Sequence, residues 1–412
     1  MESIDVAEPE GPQPPKLGLK LTSTGLAFFV AGINDGSLGP LIPRIREAWH
    51  ISEDKVAILY AATFCGWLVT ALTNSFLSQY LDLGIFLTIG AVLQILSQLL
   101  RAWVPPLPLF AITFFLASLG QAFQDTHANT FVASIKTSHR GLAFIHAMYM
   151  AGCLVSPFVA TAISSAGPFS QWNLFYILPL GLGVANLALA LYAFRDVLGF
   201  KRVSGETEQD VQSRTRNAVE NMQKIMASPS VWVLSLYFFF FLGAVITAGS
   251  WTVEYLIQVR GGDPDNMGYV AAGLSGGGLL GRLILAEPTY RFGERRMILL
   301  YVLLCLALEL VFWLVPHIIT AAVAISLFGF FSGPFLARGV SVAFKLIAAD
   351  IRSSALAFIF VLGQVGGSLF PAITGSIASH SGVAVLQPML VGLLGVTGVT
   401  WFLLPKTTAH ED

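Results

Sequence analysis

Three carboxylates stand in stretches otherwise too apolar to keep them: Asp35, Asp125 and Glu254. An ionisable side chain inside an apolar span is costly, so it faces a cavity or a partner and marks a place where a solute or a proton can be held. Asp125 has the strongest surroundings. In GQAFQDTHANTFVA (Gly120 to Ala133), Gln121, Asp125 and Asn129 recur four apart and share one helix face, with Gln124 beside them and His127 pointing away. This stripe reads as a polar path or solute site, or as a hydrogen-bonded seam to a neighbouring helix. Asp35, with Asn34 beside it, sits in GINDGSLGPLIP (Gly32 to Pro43), where Gly36 and Gly39 permit close helix approach and Pro40 and Pro43 bend or end the helix. It reads either as a cavity carboxylate or as a structural aspartate near the helix end. Glu254, in WTVEYLIQVRGG, is placed near Arg260 at a rim. His146 and Tyr149 can face the same interior space as the carboxylates, or be packed and hydrogen-bonded. Glu309 has no reading from its surroundings.

Other chemistries lack their residues. No phosphate-cradling G-x-x-x-x-G-K-[ST] motif is present, so uphill work would have to draw on a gradient. The glycine run from Gly273 to Gly281 has no strand before it and reads as a helix-packing surface. Neither metal-ligand spacing nor a catalytic triad occurs, and no enzyme activity or cofactor is expected. Cys65, Cys153 and Cys305 are scattered through apolar segments and read as packing residues rather than a disulfide framework.

The elements that must position these groups are long apolar helices. The 412 residues are 55% hydrophobic and 11% charged, with a mean hydropathy of +0.72, against about 25% charged in soluble domains. Twelve spans follow: 19–43, 56–79, 83–103, 107–133, 141–165 and 172–194, then 230–258, 265–287, 296–315, 318–342, 353–379 and 384–404. About 20 apolar residues cross a bilayer, and in lipid only helices or closed barrels satisfy their own backbone, so these lengths give an all-α integral membrane fold. Between the two sets lies the polar connector 195–228, in which Val211, Val219, Met222, Ile225 and Met226 form one face of a surface helix or else belong to a solvated linker. The expected divisions are a cytosolic tail 1–18, a six-helix bundle 19–194, the connector, a second bundle 229–404 and a tail 405–412. The first 16 residues lack the apolar core of a signal peptide.

Most of the 23 Lys and Arg fall on the side of the termini; only Arg44, Arg46, Lys55, Arg101 and Arg260 are assigned to the other. Basic residues stay cytosolic, so both termini are expected inside, with the plasma membrane as the default location. A net charge of −1 offers nothing to nucleic acid. A faint internal echo links the halves: Gly152 and Pro157 in span 5 are spaced like Gly366 and Pro371 in span 11.

The segment GRLILAEPTYRFGERR (Gly281 to Arg296) resembles the loop signature between helices 8 and 9 of the major facilitator superfamily, with Glu287, Arg291, Gly293, Arg295 and Arg296 at matching places. In that family the loop braces two bundles through charge pairs, which implies gating roles for Arg282, Glu287, Arg291, Arg295 and Arg296. The corresponding loop of the first half, Phe76 to Gly84, retains only Asp82 as an acid and no base. The stretch around Asp35, the Asp125 stripe, HAMYMAGCLVSP and WTVEYLIQVRGG resemble a fungal branch, the "bypass of stop codon" facilitators related to fucose–proton symporters. The resemblance implies the major facilitator fold, twelve transmembrane helices in two six-helix bundles, with helices 1, 4, 7 and 10 lining a central cavity. It therefore implies solute-binding or proton-coupling roles for Asn34, Asp35, Gln121, Asp125, Asn129, His146, Tyr149 and Glu254. The helix 5 antiporter signature is incomplete, because Ser156 stands where a glycine is expected before Pro157. The expected protein is a monomeric secondary active transporter of a small organic solute, coupled to protons and leaning to metabolite efflux. Sugar–proton symport and a non-transporting membrane sensor are the alternatives.

Overall fold

The computed structural model describes residues 15–405 except 79, 136–137, 167–170, 200–219, 221 and 349–350. Its helices are α1 (Leu17–Trp49), α2 (Glu53–Leu77), α3 (Leu83–Ala102), α4 (Leu107–Ala133), α5 (Ser138–Ser164) and α6 (Ile177–Ala193). The second set is α7 (Pro229–Gln258), α8 (Pro264–Ile284), α9 (Glu294–Leu314), a tenth helix broken into α10a (Ile318–Ser332) and α10b (Phe335–Leu346), α11 (Arg352–Ser381) and α12 (Leu386–Leu403). A short helix, Ala286–Arg291, bridges α8 and α9. Among the described residues, 11 helices are long and apolar enough to cross a membrane. The further helix is α8, whose glycines, Asp265 and Arg282 lower its hydropathy.

The two halves repeat one packing scheme. α1 lies along α5 as α7 lies along α11; α3 packs on α4 and α6 as α9 packs on α10a and α12; α2 packs on α4 as α8 packs on α10a. The faint glycine echo has its cause here. Gly152 of α5 presses on the α1 backbone at Phe29 and Ile33, while Gly366 of α11 presses on the α7 backbone at Phe239. Between the halves α2 lies along α11 and α5 along α8, which exchange under the same two-fold relation.

Two departures from expectation have local causes. α1 does not end at its prolines but runs through Pro40 and Pro43 to Trp49. There Gly39 lets it approach the α7 backbone at Gly249, and Leu41, Ile42 and Ile45 are fully buried, so tertiary packing outweighs the lost backbone bonds. Span 10 is two helices, because Gly333–Pro334 interrupts it where the Gly333 backbone meets that of α8 at Gly278 to Arg282. The glycine run of α8 is a packing surface: added methyls at Gly277 and Gly281 would strike the α10a carbonyls of Ser326 and Phe330. Of the apolar face placed on the connector, Val211 and Val219 lie outside the described residues. Ile225 is buried in the core, and Met222 and Met226 are exposed.

Candidate functional site

Asp35 lies midway along α1, walled by α4 and α5, yet it is exposed. A carboxylate reachable by solvent in the middle of a buried helix faces an internal cavity. Its oxygens accept from Gln121 Nε2 of α4 at 2.8 Å, the Tyr149 hydroxyl of α5 at 2.9 Å and Asn34 Nδ2 at 3.0 Å. Asp125, one turn beyond Gln121 on the same face of α4, stands within electrostatic reach of Asp35; its Oδ1 is buried with no partner among the described residues. Asn129 follows a further turn on, half-buried. The structure thus brings Asp35, Asn34, Gln121, Asp125 and Tyr149 together. His146 sets its ring edge-on to Phe28 with centroids 5.4 Å apart, and lies within electrostatic reach of Arg282 from α8, whose Nε is buried without a partner among the described residues.

Gln124, grouped with the stripe by spacing, turns away from it. It accepts from Gln94 of α3 at 2.8 Å and gives its amide to the Leu87 carbonyl at 2.8 Å. His127 stacks on Phe86 with centroids 3.7 Å apart and bonds Asn74 at 2.8 Å. Sequence reasoning missed Arg101, which it counted among the basic residues of the far side. Arg101 is 1% exposed. Its Nη1 donates to Asn34 Oδ1 at 2.7 Å, its Nε to Thr113 Oγ1 at 2.9 Å, and its guanidinium lies 3.8 Å over the Phe114 ring. The available signal was its place in α3, inside an amphiphilic run with Gln94 and Gln98.

Glu254 is not a surface acid at the rim beside Arg260. It is 2% exposed and pairs with Arg46 of α1, which also holds Glu53 of α2 at 2.9 Å. Gln258 of α7 donates to Glu53 at 3.0 Å, and Arg44 pairs with Asp265 of α8. These contacts join the two bundles at the end remote from the termini. At the termini end, the described charge pairs stay within one bundle. Lys20 Nζ meets Asp196 at 2.5 Å in the first. In the second, Glu294 accepts from Arg338, Ser341 and Lys345 at 2.9, 3.0 and 2.9 Å. Among the described residues, charge pairs latch the two bundles together at one end and not at the other.

The residues expected to gate lie at this termini end. Glu287 and Arg291 pair with each other at 2.6 Å on the exposed short helix. Arg295 donates to the Phe402 carbonyl at 2.5 Å, and Arg296 is exposed. Asp82 stands just before α3 without a side-chain bond to the helix, its backbone N–H donating to the Gly199 carbonyl at 3.1 Å. The acid that ties α9 to α10b is Glu294, which stood unnoticed inside the same signature.

The sequence profile of the Major Facilitator Superfamily matches residues 24–371. The chain belongs to that superfamily. It is a multi-pass membrane transporter of a solute and not an enzyme, in two six-helix bundles. It is 26% identical over 426 residues to Bypass of stop codon protein 6 of Saccharomyces cerevisiae, covering 97% of this chain and 85% of the yeast protein. It is 23% identical over 239 residues to Protein spinster homolog 1 of Xenopus tropicalis, 57% of this chain and 43% of the other. Among solved structures, a D-xylose-proton symporter superposes with a TM-score of 0.75 at 12% identity, covering 95% of this chain and 99% of that one. An inward-facing, unoccupied bacterial homologue of the human lysosomal transporter Spinster gives 0.73 at 12%, covering 95% and 98%.

Proposed function

We propose that the chain is a proton-coupled transporter that exports a small polar organic solute through the cavity between its bundles, with Asp35 and Asp125 as the proton-handling pair. The observation that carries this is the exposed Asp35 carboxylate midway along α1, held by Gln121, Tyr149 and Asn34, with Asp125 nearby, its Oδ1 without a partner among the described residues. Two carboxylates this close repel when both are charged, and a proton or a donor group on the solute relieves the repulsion. Alternating exposure of such a pair couples proton and solute movement. With the termini on the cytosolic side, as the distribution of basic residues implies, the latched end faces outward and solute would meet the site from the cytosol in this state, a step that export and uptake cycles share. The plasma membrane is the proposed location and the monomer the proposed unit.

A second reading, sugar–proton uptake, draws on the amides of Asn34, Gln121 and Asn129, which suit hydroxyl groups, and on the likeness to the xylose symporter. Untargeted metabolite profiling of cells and medium, comparing native protein, deletion and Asp125→Asn, separates the two. A compound retained inside the deletion and Asp125→Asn cells establishes export, and one left in the medium establishes uptake. No shift in either compartment removes transport through this site and returns the sensor reading.

A further inference from the structure

The latched end sets two acids on one base. Arg46 of α1 gives Nη1 to Glu254 of α7, Nη2 to Glu53 of α2 at 2.9 Å and Nε to the Ile51 carbonyl at 3.4 Å, so each guanidinium nitrogen is engaged. Gln258 Nε2 reaches Oε1 of both acids, 3.0 Å from Glu53 and 2.5 Å from Glu254. One oxygen of each carboxylate therefore meets the same two donors, which puts the acids side by side. Glu254 is 2% exposed and Glu53 8%, and Glu254 Oε2 is buried with no partner among the described residues. No second base offsets the extra charge among those residues. On α1, Arg44 is taken by Glu47 and by Asp265 of α8, and His50 is exposed. On α2, Lys55 is exposed and lies 4.0 Å from Asp54. Beyond Glu254 on α7, Arg260 donates to the carbonyls of Phe312 and Trp313 at 3.0 and 2.6 Å. The start of α8 adds a further acid, Asp263, bonded to Asn266 at 2.5 Å. From α11, Gly375 packs on the Trp251 ring and the Glu53 carbonyl, and His380 is exposed.

Two carboxylates and one guanidinium leave one negative charge on groups withdrawn from water. Two acids sharing a site do not both stay ionised without cost. A proton on one of them removes the repulsion and keeps the contacts. The neutral carboxyl still accepts from Gln258, and Arg46 stays paired with the other acid. We propose that Glu53 and Glu254, gathered on Arg46, form a proton-binding site that exists only while the bundles are joined at this end, so that closing takes up one proton and opening releases it. The site goes beyond the roles given to Asp35 and Asp125 and does not depend on them. With the termini in the cytosol, the proton comes from outside the cell, and external acid holds this end shut. An ordinary ion-pair latch has the opposite sign, because acid would discharge its carboxylates and let the end open.

The test measures distances between spin labels on α1 and α7 near this end in the purified full-length protein, at mildly alkaline and mildly acid pH. One proton taken up on closing raises the closed-to-open ratio by up to about tenfold for each pH unit of acidification. Glu254→Gln, a neutral stand-in for the protonated acid, is expected to stay closed and to lose the pH dependence. Asp35 and Asp125 remain in that variant, so a dependence that arises at the solute site would survive it. Acid that opens the native end, or Glu254→Gln that stands open at both pH values, makes this an ordinary ion-pair latch and overturns the proposal. A native distribution indifferent to pH overturns it too, as does a dependence that survives Glu254→Gln. Should Glu254→Gln fail to fold, Glu53→Gln replaces it. One acid then faces one base, and the same closed, pH-indifferent distribution is expected; an open or pH-dependent one refutes the site.

Discussion

At the scale of single residues, Asp35 owes its position to its donors. Tyr149 and Gln121 come from two helices, so its carboxylate is aimed by the α1–α4–α5 junction rather than by its own rotamer. A hydrogen bond to a charged group is worth about 1.5–3 kcal/mol. Tyr149→Phe is therefore expected to cut flux of the profiled solute by about tenfold or more and to displace its pH profile. Unchanged flux and profile would remove Asp35 from the site. Arg101 acts one step further out, through Asn34. Arg101→Ala leaves Asn34 Oδ1 with only the Gln98 amide at 3.1 Å and empties the space over Phe114. The expected loss is about 2 kcal/mol or more, read as a lower Tm of the detergent-solubilised protein.

Helix contacts set the next scale. α8 and α10a meet backbone to backbone because Gly277 and Gly281 carry no side chain. Gly281→Ala is expected to cost about 1–3 kcal/mol through overpacking. Gly392→Ala on α12, where nothing lies within 4 Å, should be neutral or stabilising by up to about 1 kcal/mol. Equal effects in thermal unfolding would contradict the close approach. At the start of α1, the Lys20 hydrogen bond holds the Asp196 carboxyl below the usual aspartate range. A folded value below the unfolded one adds stability that is present above the ordinary aspartate value and is lost as pH falls through the lowered one. Hydrogen-exchange protection around Phe194 to Leu198, taken relative to the intrinsic rate at each pH, should accordingly fall in acid, and Asp196→Asn should show that lower protection already at neutral pH.

For the whole molecule, the polar contacts among the described residues are unevenly placed, joining the bundles at one end and staying within each bundle at the other. The Arg46 pair with Glu254 bears most directly on the open–closed balance because Glu254 is buried. Breaking a buried pair by removing one partner costs about 3–5 kcal/mol, and that loss falls on the latched state alone. Arg46→Ala is expected to shift the population by at least about tenfold toward molecules open at that end. Distances between spin labels on α1 and α7 near the latch should lengthen; an unchanged distribution would mean that apolar packing holds the end shut.

What the sequence by itself determined follows from rules that act along the chain. Apolar length sets the helices, the polar connector divides them, and four-residue spacing puts Gln121 and Asp125 on one face. The loop signature and the fold class were legible for that reason. What required the tertiary structure depends on partners far apart in the chain. Glu254 looked like a rim acid because Arg260 is six residues away, yet its partner Arg46 is 208 residues away. Gln124 shares a helix face with the stripe by spacing, but α3 offers it Gln94, and a buried amide turns to its hydrogen-bond partner. Arg101 counted only as one of the basic residues of the far side until α1 and α4 closed around it. A helix pattern says which residues share a face; only packing decides what that face meets.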